Sequence, residues 1–81
     1  MGDLLPGSVL YTVLLYSVSD PGVWRADEIA DDLSDVDPQE VQGAVSMLRE
    51  RGFIRINSTD NRLWPLRAGR AALQPRAEAI R

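Results

Sequence analysis

Residues 36–56, VDPQEVQGAVSMLRERGFIRI, describe a helix whose two ends are both marked and which runs into a strand. Asp37 is a favourable N-cap, and Pro38 suits the first helical position. Gly52 supplies the left-handed residue that commonly ends a helix. The stretch therefore predicts a helix over about 38–51, followed at once by an alternating strand.

The apolar residues of this helix divide it into two faces. Val41, Val45 and Leu48 recur at i, i+4 and i+7, the spacing of an amphipathic helix that packs on a core. A glycine in mid-helix costs about 1 kcal/mol relative to alanine. It indicates either a close approach of the backbone to DNA or to another helix, or a tolerated residue. The outward face then consists of Gln39, Gln42, Gly43, Ser46 and Arg49.

The flanking segments predict an α+β domain that is mostly α. The β-branched and aromatic residues of the first segment, SVLYTVLLYSVSD (8–20), are compatible with a strand, but the lack of strict alternation favours a helix. Pro65 confines the second strand of the hairpin to a sheet edge. The predicted bounds are about 7–18 for helix 1, 26–34 for helix 2, 53–66 for the hairpin and 67–80 for a C-terminal helix.

Helix 1 is apolar around most of its circumference, so it has to be covered on more than one side. A chain of 81 residues has little material to do this alone, which predicts a homodimer. Trp24 and Trp64 are expected in the core, because burial of such rings dominates the energetics of small domains. The predicted dimer interface consists of Leu10, Tyr11, Leu14, Leu15, Val18, Leu73 and Ile80.

Composition narrows the range of functions. Eighty-one residues are expected to form one domain, 1–81. The chain has no Cys and no His, so it lacks the commonest general base and the commonest zinc ligands. We therefore expect no enzyme, no metal and no cofactor. The apolar run 9–18 is too short for a membrane span, and no basic region precedes it, which predicts a cytoplasmic protein without membrane contact.

Charge is divided unevenly along the chain, whose net charge is −3. Residues 1–48 carry a net charge of −8, whereas residues 49–81 carry +5 and contain eight of the nine arginines. Either the two halves face different partners, or each other across a dimer, or the surface is simply patchy. The acids of helix 2 lack the spacing of a calcium loop and are expected to form a solvated face: Asp27, Glu28, Asp31 and Asp32.

The order of two helices, a tight turn, a third helix, a hairpin and a last helix is the plan of a winged helix-turn-helix. The stretch WRADEIADDLSDVDPQEVQGAVSMLRERGFIRI (24–56) resembles the helix-turn-helix and the start of the wing in MarR- and PadR-like bacterial regulators. The stretch RLWPLRAGRAAL (62–73) is similar to the passage from their second wing strand into the next helix. Arg25 departs from the Ser or Thr that usually caps helix 2 in such proteins.

This resemblance implies a bacterial or phage transcriptional regulator that binds double-stranded DNA sequence-specifically. Helix 3 would enter the major groove, and the wing would contact the backbone or the minor groove. The alternative is a winged-helix protein–protein interaction module, such as a phage-encoded modulator or a complex subunit, that binds no DNA and docks through helix 3 or acidic helix 2. The predicted DNA-binding residues are Gln39, Gln42, Gly43, Ser46, Arg49, Arg55, Asn57, Asn61 and Arg62.

Overall fold

The computed structural model describes residues 7–73, and these form a small, mostly helical α+β unit, which confirms the coarse fold class. The first three helices lie within two residues of their predicted bounds. The predicted extension of the last helix to residue 80 lies outside the described residues. The elements within this range are α1 (Val9–Ser19), α2 (Ala26–Asp32), α3 (Pro38–Glu50), β1 (Ile54–Ile56), β2 (Leu63–Pro65) and α4 (Arg67–Leu73).

Among residues 7–73, no helix combines the length and the apolar character needed to cross a membrane.

Local capping sets both ends of α3. The side chain of Asp37 accepts a hydrogen bond from the backbone N–H of Gln39 at 2.9 Å, which satisfies one of the orphan donors of the first turn. At the other end, Gly52 has a φ of +77°, a conformation that glycine adopts without steric cost. The Phe53 N–H then bonds back to the Leu48 carbonyl at 2.9 Å. Both end signals of the sequence thus correspond to observed contacts.

One hydrophobic core joins the helices to the hairpin. α3 packs against both α1 and α2, and its predicted apolar stripe is buried. The two strands contribute one fully buried side chain each, from the face that they turn towards the helices. The core cluster consists of Leu10, Val13, Leu14, Ile29, Val41, Ala44, Val45, Leu48, Ile54 and Leu63.

α1 lies at the centre of the unit, in contact with α3, β2 and α4. The chain itself therefore covers α1 on several sides, although Leu15 of this helix is exposed. Leu10 and Leu14 are buried in this core, so they offer no surface to a second copy. The prediction that these two residues lie in a dimer interface is therefore wrong. Ile80 lies outside the described residues. The interface prediction stays a prediction for Tyr11, Leu15, Val18 and Leu73.

The hairpin is tied to the connection between α1 and α2. β1 and β2 pair antiparallel, with Arg55 opposite Trp64. On its other side, Leu63 accepts a bond from the Gly22 N–H at 2.9 Å and donates one to the Trp24 carbonyl at 2.8 Å. Residues 22–25 thus lie beside the start of β2, while β1 and β2 form a two-stranded sheet in which Pro65 has an edge position, as predicted. These bonds fix the hairpin relative to the helices.

α4 packs closely on the backbone of Phe53, which lies between α3 and β1. The Leu66 N–H donates to the Phe53 carbonyl at 2.9 Å just before α4 begins. Gly69 is buried, and a Cβ atom on it would lie 2.1 Å from that same carbonyl oxygen and 3.2 Å from Leu14. Only a residue without a side chain allows α4 this position.

Candidate nucleic-acid interface

The outer face of α3 carries polar side chains that no other element covers. α3 turns Val41, Val45 and Leu48 into the core, so the residues between them point outwards. One arginine and two glutamines on this face offer the donor and acceptor pairs that match the major-groove edges of bases. All five predicted reading-face residues are exposed: Gln39, Gln42, Gly43, Ser46 and Arg49.

A groove runs along this face, between α3, the start of α2 and the hairpin. Its volume is about 410 Å³. The hairpin provides the apolar wall and one loop residue, while α3 provides the polar wall. The lining residues are Arg25, Ala26, Asp27, Gln42, Val45, Ser46, Arg49, Ile56, Asn61 and Leu63. The fold thus brings together four predicted DNA-binding residues, Gln42, Ser46, Arg49 and Asn61.

Arg25 joins this groove although the sequence prediction did not include it as a binding residue. Its side chain has no acceptor atom to cap α2, as expected. Glu28 compensates in part, because its Oε1 accepts the Arg25 backbone N–H at 3.0 Å while Oε2 lies 3.4 Å from the guanidinium. The Nε atom is buried without a hydrogen-bond partner in the described part of the chain. The sequence feature that could have indicated Arg25 as a binding residue is its position one residue before α2, the helix that flanks α3.

The charge of the groove is mixed. Arg49 and Arg25 contribute positive charge, whereas Asp27 adds a carboxylate to the same lining. Part of the Arg25 charge is neutralised by Glu28. The Arg49 side chain has no hydrogen bond or ion pair within residues 7–73, and the residue is exposed. Arg49 is therefore the cation of the groove that is most available to an anionic ligand.

The three polar residues predicted for the hairpin loop also shape that loop. The Asn57 side chain accepts the Thr59 N–H at 2.9 Å, and Asn61 adopts a φ of +61°, which asparagine tolerates better than most residues. The Arg62 guanidinium donates to the Val23 carbonyl and lies 3.5 Å from the Asp60 carboxylate. These contacts leave Arg62 less free for phosphate than the sequence suggested.

Arg55 lies on the opposite face of the hairpin from the groove. Side chains alternate along a strand, so Arg55 and its cross-strand neighbour Trp64 share the face that Ile56 and Leu63 do not. Trp64 packs over Gly22 and is 38% exposed, so the prediction that it is a core residue is wrong. The structure therefore does not bring Arg55 together with the α3 face.

A second concave surface lies beside Trp24, on the side of α1 and α2. The Trp24 ring packs edge-to-face on Tyr16, with centroids 4.9 Å apart and an interplanar angle of 86°. Trp24 donates its indole N–H to Asp20 at 3.1 Å, and the Tyr16 hydroxyl donates to Asp32. Trp24 is half-buried at the margin of the core, in partial agreement with the prediction. Carboxylates thus hold both rings in place.

The hydrogen bond to Asp32 raises the pKa of Tyr16 to about 12, with burial and carboxylate repulsion acting in the same direction. Because the neutral phenol is favoured in the folded chain, this stabilisation is complete below pH ~10 and is lost as pH rises through about 12. Ultraviolet titration of tyrosinate, taken as wild type minus Tyr16→Phe, is expected to show this value. Asp32→Asn should move the transition towards pH 10, and an unchanged transition would contradict the assigned contact.

Within residues 7–73, no three acidic side chains converge as ligands for a metal ion.

In comparisons with protein-family models, curated proteins and solved structures, nothing matches this chain.

Proposed function

We propose that the chain is a winged helix-turn-helix domain that binds double-stranded DNA and regulates transcription. The observation that carries the proposal is the exposed polar face of α3, beside a hairpin held in place by residues 22–25. The short α2, the tight turn and α3 correspond to a helix-turn-helix, and the hairpin corresponds to a wing. In this arrangement α3 is the element whose width and exposure suit the major groove.

The proposed roles follow from the chemistry of the groove. Gln42 and Arg49 lie about one and about three turns along α3. They would pair with base edges, glutamine with adenine and arginine with guanine. Ser46 lies between them and would contact a base or a phosphate. Arg25, at the start of α2, would contact the phosphate backbone and so position α3 without reading sequence. Asn61 would approach the duplex from the hairpin side of the groove.

Binding of a labelled random-sequence duplex tests the proposal, with fluorescence anisotropy read at several salt concentrations. Each phosphate that a cation neutralises should contribute about −0.9 to the slope of log affinity against log salt. With two groove arginines engaged, we expect a slope of roughly −2 for nonspecific binding. No binding even at low salt would contradict the proposal. The same titration in a chloride-free buffer of equal ionic strength serves as the control for specific anion effects.

A protein-interaction module that binds no DNA is the second candidate function. Two observations favour it. Asp27 places a carboxylate in the groove, and both Arg25 and Arg62 are ion-paired within the chain, Arg25 with Glu28 and Arg62 with Asp60. Carboxylates near a phosphate backbone are repulsive, and paired guanidinium groups are less available to phosphate. Asp27→Asn separates the two candidate functions. If α3 faces DNA, the change should strengthen binding of the duplex. If the chain has no affinity for DNA, the variant should not bind the duplex either.

A further inference from the structure

The surface around Trp24 combines exposed apolar side chains with carboxylates, and it is separate from the α3 groove. Two adjoining cavities, of about 460 and 210 Å³, share Trp24 as a lining residue. Neither cavity shares a lining residue with the α3 groove. We call their combined lining the Trp24 surface: Leu15, Tyr16, Ser19, Asp20, Val23, Trp24, Glu28, Asp31 and Asp32.

We propose that the Trp24 surface binds a cationic segment of a partner protein, one that carries arginine or lysine beside an apolar side chain. Four of its nine lining residues are acidic and none is basic; one of the four, Glu28, is ion-paired with Arg25, so the negative charge comes mainly from Asp20, Asp31 and Asp32. The aromatic ring in the middle of these carboxylates can accept a guanidinium or ammonium group through a cation–π interaction. This interaction surface is a second activity, independent of whether α3 binds DNA.

The apolar part of the surface determines what kind of cation fits. Leu15 is 43% exposed and Val23 is 50% exposed, on either side of Trp24. A small inorganic cation would leave these side chains in water, whereas a peptide covers them with its own apolar residues. No convergent metal ligands exist among the described residues either. The ligand is therefore a polypeptide with charged and apolar groups side by side.

The charge of the surface argues against a symmetric second copy as the occupant. A two-fold contact places the same patch against itself, so Asp31 and Asp32 would face the same carboxylates of the other chain. Like charges brought together across an interface repel. The rings, by contrast, are already fixed by Asp20 and Asp32, so a cationic partner finds an ordered site and orders few side chains on binding.

The test uses an acetylated and amidated heptapeptide of alternating arginine and leucine as the probe, with the citrulline version as the uncharged control. Binding is followed by amide chemical shifts of the ¹⁵N-labelled chain. We expect the largest shifts at Val23, Trp24 and Asp31, and binding of the citrulline peptide weaker by about tenfold or more.

Matched variants separate the surface from the net charge of the chain. Asp31→Arg should weaken peptide binding by roughly tenfold, whereas Asp35→Arg, an equal charge change outside the surface, should weaken it less than about twofold. Leu15→Ala should weaken binding by about fivefold, and Met47→Ala, which truncates a side chain with a similar 46% exposure, should not. The side chains of Asp31 and Asp35 take part in no described hydrogen bond or ion pair, so variants at these two positions are expected to fold.

Three results would overturn the proposal. If Asp31→Arg and Asp35→Arg weaken peptide binding equally, the binding depends on the net charge of the chain and not on this surface. If the citrulline peptide binds with equal affinity, the positive charge of the peptide makes no contribution. Shifts around Trp24 that depend on protein concentration without peptide would assign the surface to self-association. Duplex binding by α3 is measured separately, so its failure leaves this test unaffected.

Discussion

Arg49→Glu is expected to weaken binding of duplex DNA by about 100-fold at low salt. The change removes the most available cation of the groove and places a carboxylate on the face of α3 that would enter the major groove. In nonspecific complexes with a random-sequence duplex Arg49 would contact phosphate, so the change loses that contact, and repulsion between the new carboxylate and phosphate adds to the loss. Fluorescence anisotropy at several salt concentrations measures both the affinity and the salt slope, which should become less steep by about 1.

Arg55→Glu is the matched control for this prediction. It changes the net charge by the same amount, but Arg55 lies with Trp64 on the hairpin face that points away from the groove. We expect a loss of less than about fivefold, which reflects only the long-range field of the chain. Equal losses for the two variants would contradict the assignment of the α3 groove as the DNA-binding surface. Thermal unfolding of both variants verifies that the fold is intact.

The features that sequence predicted best are local ones. The ends of α3 depend on Asp37 and Gly52, and each of these residues makes its contacts within a few positions along the chain. The outward face of α3 also follows from the spacing of its own apolar residues. In such cases the residues that cause a feature lie next to it in the sequence, and no tertiary information is needed.

The features that sequence missed depend on distant pairings. Arg62 was predicted as a DNA contact, but its guanidinium bonds to the Val23 carbonyl, which is 39 positions away. Arg55 alternates with Ile54 and Ile56, yet only the packing of the hairpin on the helices shows that the groove lies on the isoleucine side. The central position of α1 likewise buries Leu14 by contacts with elements far along the chain. Charge alone gave no sign of these contacts.

Gly69→Ala is expected to destabilise the fold by about 1–3 kcal/mol and to lower the melting temperature by roughly 5–20 °C. The new methyl group would lie 2.1 Å from the Phe53 carbonyl oxygen, which is too close for any contact. That oxygen belongs to the backbone and also accepts the Leu66 N–H, so it cannot move without loosening the junction between the hairpin and α4. Thermal and denaturant unfolding followed by circular dichroism measure the loss.

Gly43→Ala is the matched control, because it makes the same chemical change in another helix with the opposite expected sign. Apart from its chain neighbours and the backbone of its own helix, no described atom lies within 4 Å of a Cβ at Gly43, and the backbone there is helical, so alanine should stabilise the fold by about 1 kcal/mol. A loss of stability in both variants would indicate that helix propensity does not explain Gly43. The same variant tests the reading face, since a more stable chain that binds duplex DNA more weakly would show that the backbone of α3 approaches the DNA closely at Gly43. Unchanged affinity would instead identify Gly43 as a tolerated residue, with the contacts to bases supplied by the longer side chains around it.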